Sequence, residues 1–140
     1  MNILVAVDGS SYTKRMLAYL AAHDEWLGSH QTYTVMTVVA GLPARAVALL
    51  DKEAVKTYYD DEAEKVFKPI RAFFARQGIA ATFIGKVGHT AELIAKQAEA
   101  GRFDLLLLGS HGHGDLTNLV MGSVVTKVLA HCKTPVLLVR

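Results

Sequence analysis

Leu105-Leu106-Leu107-Leu108-Gly109-Ser110-His111-Gly112-His113-Gly114 is the stretch on which the fold turns. An unbroken apolar run suits a strand covered on both faces of a parallel sheet, and closely spaced glycines after it suit a loop whose bare backbone can approach a ligand. Beyond Met121, Gly122-Ser123 opens a helical pattern. Holding a polyphosphate without a cationic clamp needs converging N–H groups, no Cβ in the way and a helix N-terminus aimed at the charge. Gly109, Gly112 and Gly114 meet the first two needs, and Gly122 with Ser123 the third. A phosphorylated ligand is therefore expected.

Working outward, five β-type runs alternate with longer helical patterns: Ile3–Val7, Tyr33–Val39, Ala80–Ile84, Leu105–Leu108 and Val136–Val139. That alternation predicts an α/β fold with a parallel sheet and helices on both faces. The first helix is expected to start at Ser10 or Ser11, which can cap it, to turn Met16, Leu17, Leu20 and Ala21 inward, and to end near Gly28. A longer pattern from Glu53 to Gln77 lines up Val55, Tyr59, Val66, Phe67, Ile70 and Phe74, with Pro69 predicting a kink or break near Phe67. Thr90 is expected to cap a third helix carrying Leu93, Ile94 and Ala98, which Gly101 stops. The last helix starts at Ser123 and is expected to bury Val124, Val125, Val128, Leu129 and Cys132. Trp26 is expected to be partly buried or to lie at an interface.

With 140 residues, 51% of them hydrophobic, the chain suits one domain, residues 1–140. Fifteen Lys and Arg stand among thirteen Asp and Glu for a net charge of +2, so no basic stripe suits nucleic acid. The apolar start is too short for a signal peptide and no later run approaches a membrane span, so no membrane role and a cytoplasmic location are expected. Cys132 is the only cysteine, which excludes an intrachain disulfide.

The loop matches neither a Walker A motif, for want of Gly-Lys-Ser/Thr, nor a Rossmann fingerprint, since Thr117 stands where a third glycine belongs. His111 and His113 lack a third ligand nearby in sequence, which argues against a histidine metal site. No Gly-x-Ser-x-Gly elbow surrounds Ser110. A response-regulator receiver would share the size and layout, and Lys133 would suit it, but no aspartate ends the third strand and Asp8 has no acidic neighbour.

Gly109-x-x-Gly112, nine residues and then Gly122-Ser123 resembles the ATP-binding signature of the universal stress protein family, Gly-2x-Gly-9x-Gly-Ser/Thr. Ile3–Ser10, Asp104–Gly112, Met121–Val124 and Thr134–Val139 are similar to the same family, so the likeness covers essentially the whole chain. The resemblance implies a flavodoxin-like, adenine nucleotide alpha hydrolase-like three-layer α/β/α fold, with five parallel strands in the order 3-2-1-4-5 and the nucleotide between the first and fourth. It implies that Ala6 and Asp8 lie by the adenine and that Val38 contacts adenine or ribose. Gly109, His111 and Gly112 would line ribose and phosphates, with Met121, Gly122, Ser123 and Val124 holding the phosphate tail. Many ATP-binding members have proline where Ala6 stands and a basic residue where His113 stands. Asp115 would repel the phosphates unless Mg²⁺ or Mn²⁺ bridges them or it points to water. The resemblance further implies a homodimer through antiparallel last strands, Val136–Val139, which would cover an apolar sheet edge. Without a lysine clamp, arginine finger or evident general base, any hydrolysis is expected to be slow, so ATP would act as a switch. The alternative is a nucleotide-independent stress adaptor working through its dimer and partner-binding surfaces.

Overall fold

In the computed structural model, residues 1–113 and 121–140 are described. The expected Gly114, Asp115 and Thr117 lie outside them. Five strands, β1 (Asn2–Ala6), β2 (Thr32–Val39), β3 (Ala81–Val87), β4 (Leu105–Gly109) and β5 (Val136–Val139), form one all-parallel sheet in the order β3-β2-β1-β4-β5. This is the order the family resemblance implied. β3 starts one residue later than its apolar pattern and runs on to Val87, because Gly85, Lys86 and Val87 pair with Thr37, Val38 and Val39 despite facing solvent.

Both faces of the central strands are apolar because both are covered. Ile3, Val5 and Val7 pack with Met16 and Leu20 of α1 (Ser11–Ala22) and with Phe67, Ile70 and Phe74 of α4 (Lys52–Arg76). Leu4 and Ala6 pack on the other side with Ile94 and Ala98 of α5 (Thr90–Ala100) and Val125 and Val128 of α6 (Ser123–His131). Each large side chain fully buried in these layers contributes about 1.5–3 kcal/mol. Tyr33 is 1% exposed, and its hydroxyl donates to the carbonyls of Leu27 and Gly28, which satisfies a polar group in the core.

Several local expectations need correction. The first helical segment is not continuous to Gly28: α1 stops at Ala22, and a separate turn, α2 (Asp24–Leu27), follows from His23. Ala21 faces solvent, and Trp26, in α2, is exposed at 38%. Pro69 does not break α4. Phe67, Ile70 and Phe74 anchor the helix on both sides of it, and Pro69 and Lys65, whose carbonyl loses its donor, are both exposed to water. The stripe leaves the core toward its N-terminal end, where Val55 and Tyr59 are half-buried and the Tyr59 hydroxyl accepts from the Leu42 N–H at 2.9 Å. At α5 the cap position is His89, with Thr90 the first helical residue. Leu129 is 45% exposed because Val125 and Val128 already fill the inward face of α6; Cys132 lies just past that helix, half-buried. A short helix with no sequence signal, α3 (Ala44–Leu49), follows β2 and buries none of its residues.

Candidate functional site

The turn from β1 into α1 is built around Asp8 and Thr13. Gly9 has φ +77°, a left-handed conformation that favours glycine. Asp8 Oδ1 accepts from the Ser10 N–H at 2.9 Å and from the Thr13 hydroxyl at 3.1 Å. The same hydroxyl accepts from the N–H groups of Asp8 and Gly9 at 3.1 and 3.2 Å. One carboxylate oxygen of Asp8 therefore holds the turn, and the other points across the cleft toward Gly112, 2.7 Å from where a Cβ on that residue would sit. Ser10 stands at the N-cap, but its hydroxyl makes no capping bond; the Asp8 side chain takes the turn amide instead.

The glycine segment approaches the rest of the chain closely. A Cβ on Gly109 would lie 2.7 Å from Tyr12 Cβ, and one on Gly122 would lie 3.2 Å from the Ser110 carbonyl oxygen and 3.3 Å from His111 Cα. The Gly122 N–H donates to the Ser110 carbonyl at 2.7 Å, so it closes the loop and does not point outward. The outward donors at this end belong to the next residues of α6, whose first N–H groups have no acceptor inside the helix. His111 Nδ1 lies 2.9 Å from Ser110 Oγ, and its ring meets that of Tyr12 at 5.1 Å. Across the mouth, His113 Nε2 lies 2.6 Å from the Asp8 carbonyl oxygen, joining the two loops.

Between the ends of β1 and β4, where the strand order reverses direction, the two loops enclose a cleft of about 270 Å³. Of the ten residues expected at a ligand, Ala6, Asp8, Val38, Gly109, His111, Gly112, Gly122, Ser123 and Val124 line it. Met121 is exposed and does not. Sequence reasoning missed Tyr12, Thr13, Met36, Thr90 and Ile94 on the walls. Only Thr13 had a usable signal: Asp8-Gly9-Ser10 after a strand suits an Asx turn, which a following hydroxyl can lock. Ala6, Met36, Val38 and Ile94 give the cleft apolar walls, and Gly112, Ser123 and the start of α6 bring backbone and hydroxyl groups to it. No Lys or Arg lines it among the described residues. Such a site can take a flat apolar group and an anion attached to it at the start of α6, while the Asp8 carboxylate oxygen facing Gly112 repels negative charge there.

The family model described as "Universal stress protein family" matches residues 1–140. A universal stress protein of Thermus aquaticus is 32% identical over 99% of this chain and 98% of its own length. One of Synechocystis sp. is 31% identical, and the chain spans only 42% of its length. Among solved structures, protein MJ0577 of Methanocaldococcus jannaschii superposes with a TM-score of 0.81 at 26% identity, covering 99% of this chain and 94% of that one. More distant folds include an Arabidopsis thaliana family protein with AMP bound (TM-score 0.70, 17% identity, 99% and 90% covered) and an Archaeoglobus fulgidus universal stress protein in complex with dAMP (0.65, 20%, 100% and 98%). The chain belongs to the universal stress protein family.

Proposed function

We propose that the chain, as one domain, binds an adenine nucleotide, ATP, in the cleft between β1 and β4 and acts as a nucleotide-dependent switch in a stress response. The observation that carries this reading is one cleft walled both by the apolar side chains of Ala6, Met36, Val38 and Ile94 and by the N-terminus of α6. A triphosphate at the start of α6 would meet unpaired N–H groups and the positive end of the helix dipole. Hydrogen bonds to a charged group contribute about 1.5–3 kcal/mol each, so a handful support micromolar affinity. The AMP and dAMP held by the Arabidopsis and Archaeoglobus proteins support the ligand class.

A divalent ion, Mg²⁺ or Mn²⁺, would arrive on the triphosphate; among the described residues no three His, Cys, Asp or Glu side chains come together as a metal site. With no Lys or Arg on the described walls to neutralise charge building on a transferring phosphoryl group, hydrolysis should be slow. β5 ends the sheet on one side, and pairing of Val136–Val139 with a second copy would make a symmetric homodimer. A cytoplasmic location belongs to the same proposal; no described helix is long and apolar enough to cross a membrane.

One observation favours the adaptor reading: Gly109 and Gly122 are needed for contacts within the chain, so the signature would persist without any ligand. Calorimetry with ATP, ADP, AMP and GTP, with and without Mg²⁺, separates the two. Gly122→Val would disturb the loop itself, so the informative variant is Ser123→Asp, which places a carboxylate at an exposed first helical position. That charge suits the helix dipole and repels phosphate. ATP binding to the native chain, weakened about tenfold or more in Ser123→Asp with thermal stability kept, is the expected result. A native chain that binds none of the four nucleotides overturns the reading in favour of the adaptor.

A further inference from the structure

α5 contributes Thr90 and Ile94 to the cleft wall, one helical turn apart on the same face. Ile94 is buried against the Met36 and Ala6 side of the sheet, while Thr90 is half-buried at the open end of its helix. No hydrogen bond of the Thr90 hydroxyl occurs within the described residues. The Thr13 hydroxyl, also on the wall, is fully engaged with Asp8 and Gly9. Water can satisfy Thr90 while the cleft is open; a ligand that fills the cleft must replace that bond or lose it.

We infer that the Thr90 hydroxyl hydrogen-bonds the nucleoside part of the ligand and adds selectivity there, an inference that rests on the adenine-nucleotide reading. The layout sets which part of the ligand it meets. The Asp8 carboxylate oxygen that faces Gly112 disfavours an anion there, so the anionic tail belongs at the start of α6 and the nucleoside against the wall formed by β2 and α5. There Met36, Val38 and Ile94 offer only apolar surface, suited to the faces of a base. A base or sugar presents its distinguishing groups along polar edges, and Thr90 is the side chain on that wall able to pair with one.

Calorimetric titration of ATP, ADP and AMP into the native chain, Thr90→Val and Thr90→Ser tests this. Valine keeps the shape and branching of threonine and removes the hydroxyl, and thermal unfolding checks that the fold is intact. A neutral hydrogen bond predicts a loss of about 3- to 10-fold in Thr90→Val, by the same factor for all three nucleotides, with Thr90→Ser within about twofold of native. Native binding with no loss in Thr90→Val overturns the inference and leaves the nucleotide reading standing. So does a loss that shrinks from ATP to AMP, which would put the hydroxyl on the phosphate tail. Absence of binding to the native chain ends both.

Discussion

Replacing Gly109 by alanine separates what the glycine signature does for the fold from what it does for a ligand. The new methyl group would lie 2.7 Å from Tyr12 Cβ and 3.4 Å from the His111 carbonyl oxygen. Tyr12 Cβ is the root of its side chain, so no rotamer change can clear it; α1 must move away from β4. The backbone of Gly109 is extended and tolerates alanine, which leaves overpacking as the sole penalty, about 1–3 kcal/mol. At roughly 2.1 cal/mol/K per residue, unfolding a chain of 140 residues carries an entropy of about 0.3 kcal/mol/K, so the melting temperature should fall by roughly 3–10 °C. Gly41→Ala is the control: its Cβ would meet nothing within 4 Å, and the expected change is within about 0.5 kcal/mol. Thermal and urea unfolding followed by circular dichroism measure both. A Gly109→Ala chain melting within a degree of native would refute the close approach of α1 to β4, and with it the claim that this glycine serves packing.

Burial pushes the Tyr33 hydroxyl up to about 12 from its usual value of 10.0. The neutral form is thus favoured in the folded chain, so its contribution is complete below pH 10 and is lost as pH rises through 12. The stability difference between native and Tyr33→Phe should shrink by about 3 kcal/mol across that window, and a flat difference in urea unfolding would contradict it. Pro69→Ala should stabilise by roughly 1–3 kcal/mol, because an exposed position inside α4 regains a hydrogen bond without disturbing Phe67, Ile70 or Phe74; unchanged urea midpoints would show that the proline costs nothing there.

The central strands β1 and β4 were legible because each is an apolar run covered on both faces, and the glycine loop because an all-leucine strand runs straight into it; β3, whose last three residues face solvent, showed only its apolar first part. The strand order was another matter: alternation predicts a parallel sheet, but only the family resemblance supplied 3-2-1-4-5. α3 escaped detection because six residues without a buried face carry no periodicity. Leu129 was misjudged because helical spacing marks a stripe without saying how much of it the sheet reaches. At the site, spacing located the backbone positions but not their neighbours. Thr90 and Ile94 reach the cleft only because α5 crosses over β2, and the Gly122 N–H turns inward only because Ser110 lies opposite.

Amide chemical-shift mapping with Mg²⁺ and ATP on isotopically labelled protein tests the central claim most directly. Perturbations concentrated at Ala6 to Asp8, Val38, Gly109 to Gly112 and Ser123 to Val125 are the expected result. No shifts at saturating ATP, or shifts confined to surfaces away from the β1–β4 cleft such as the outer face of α4, would contradict it.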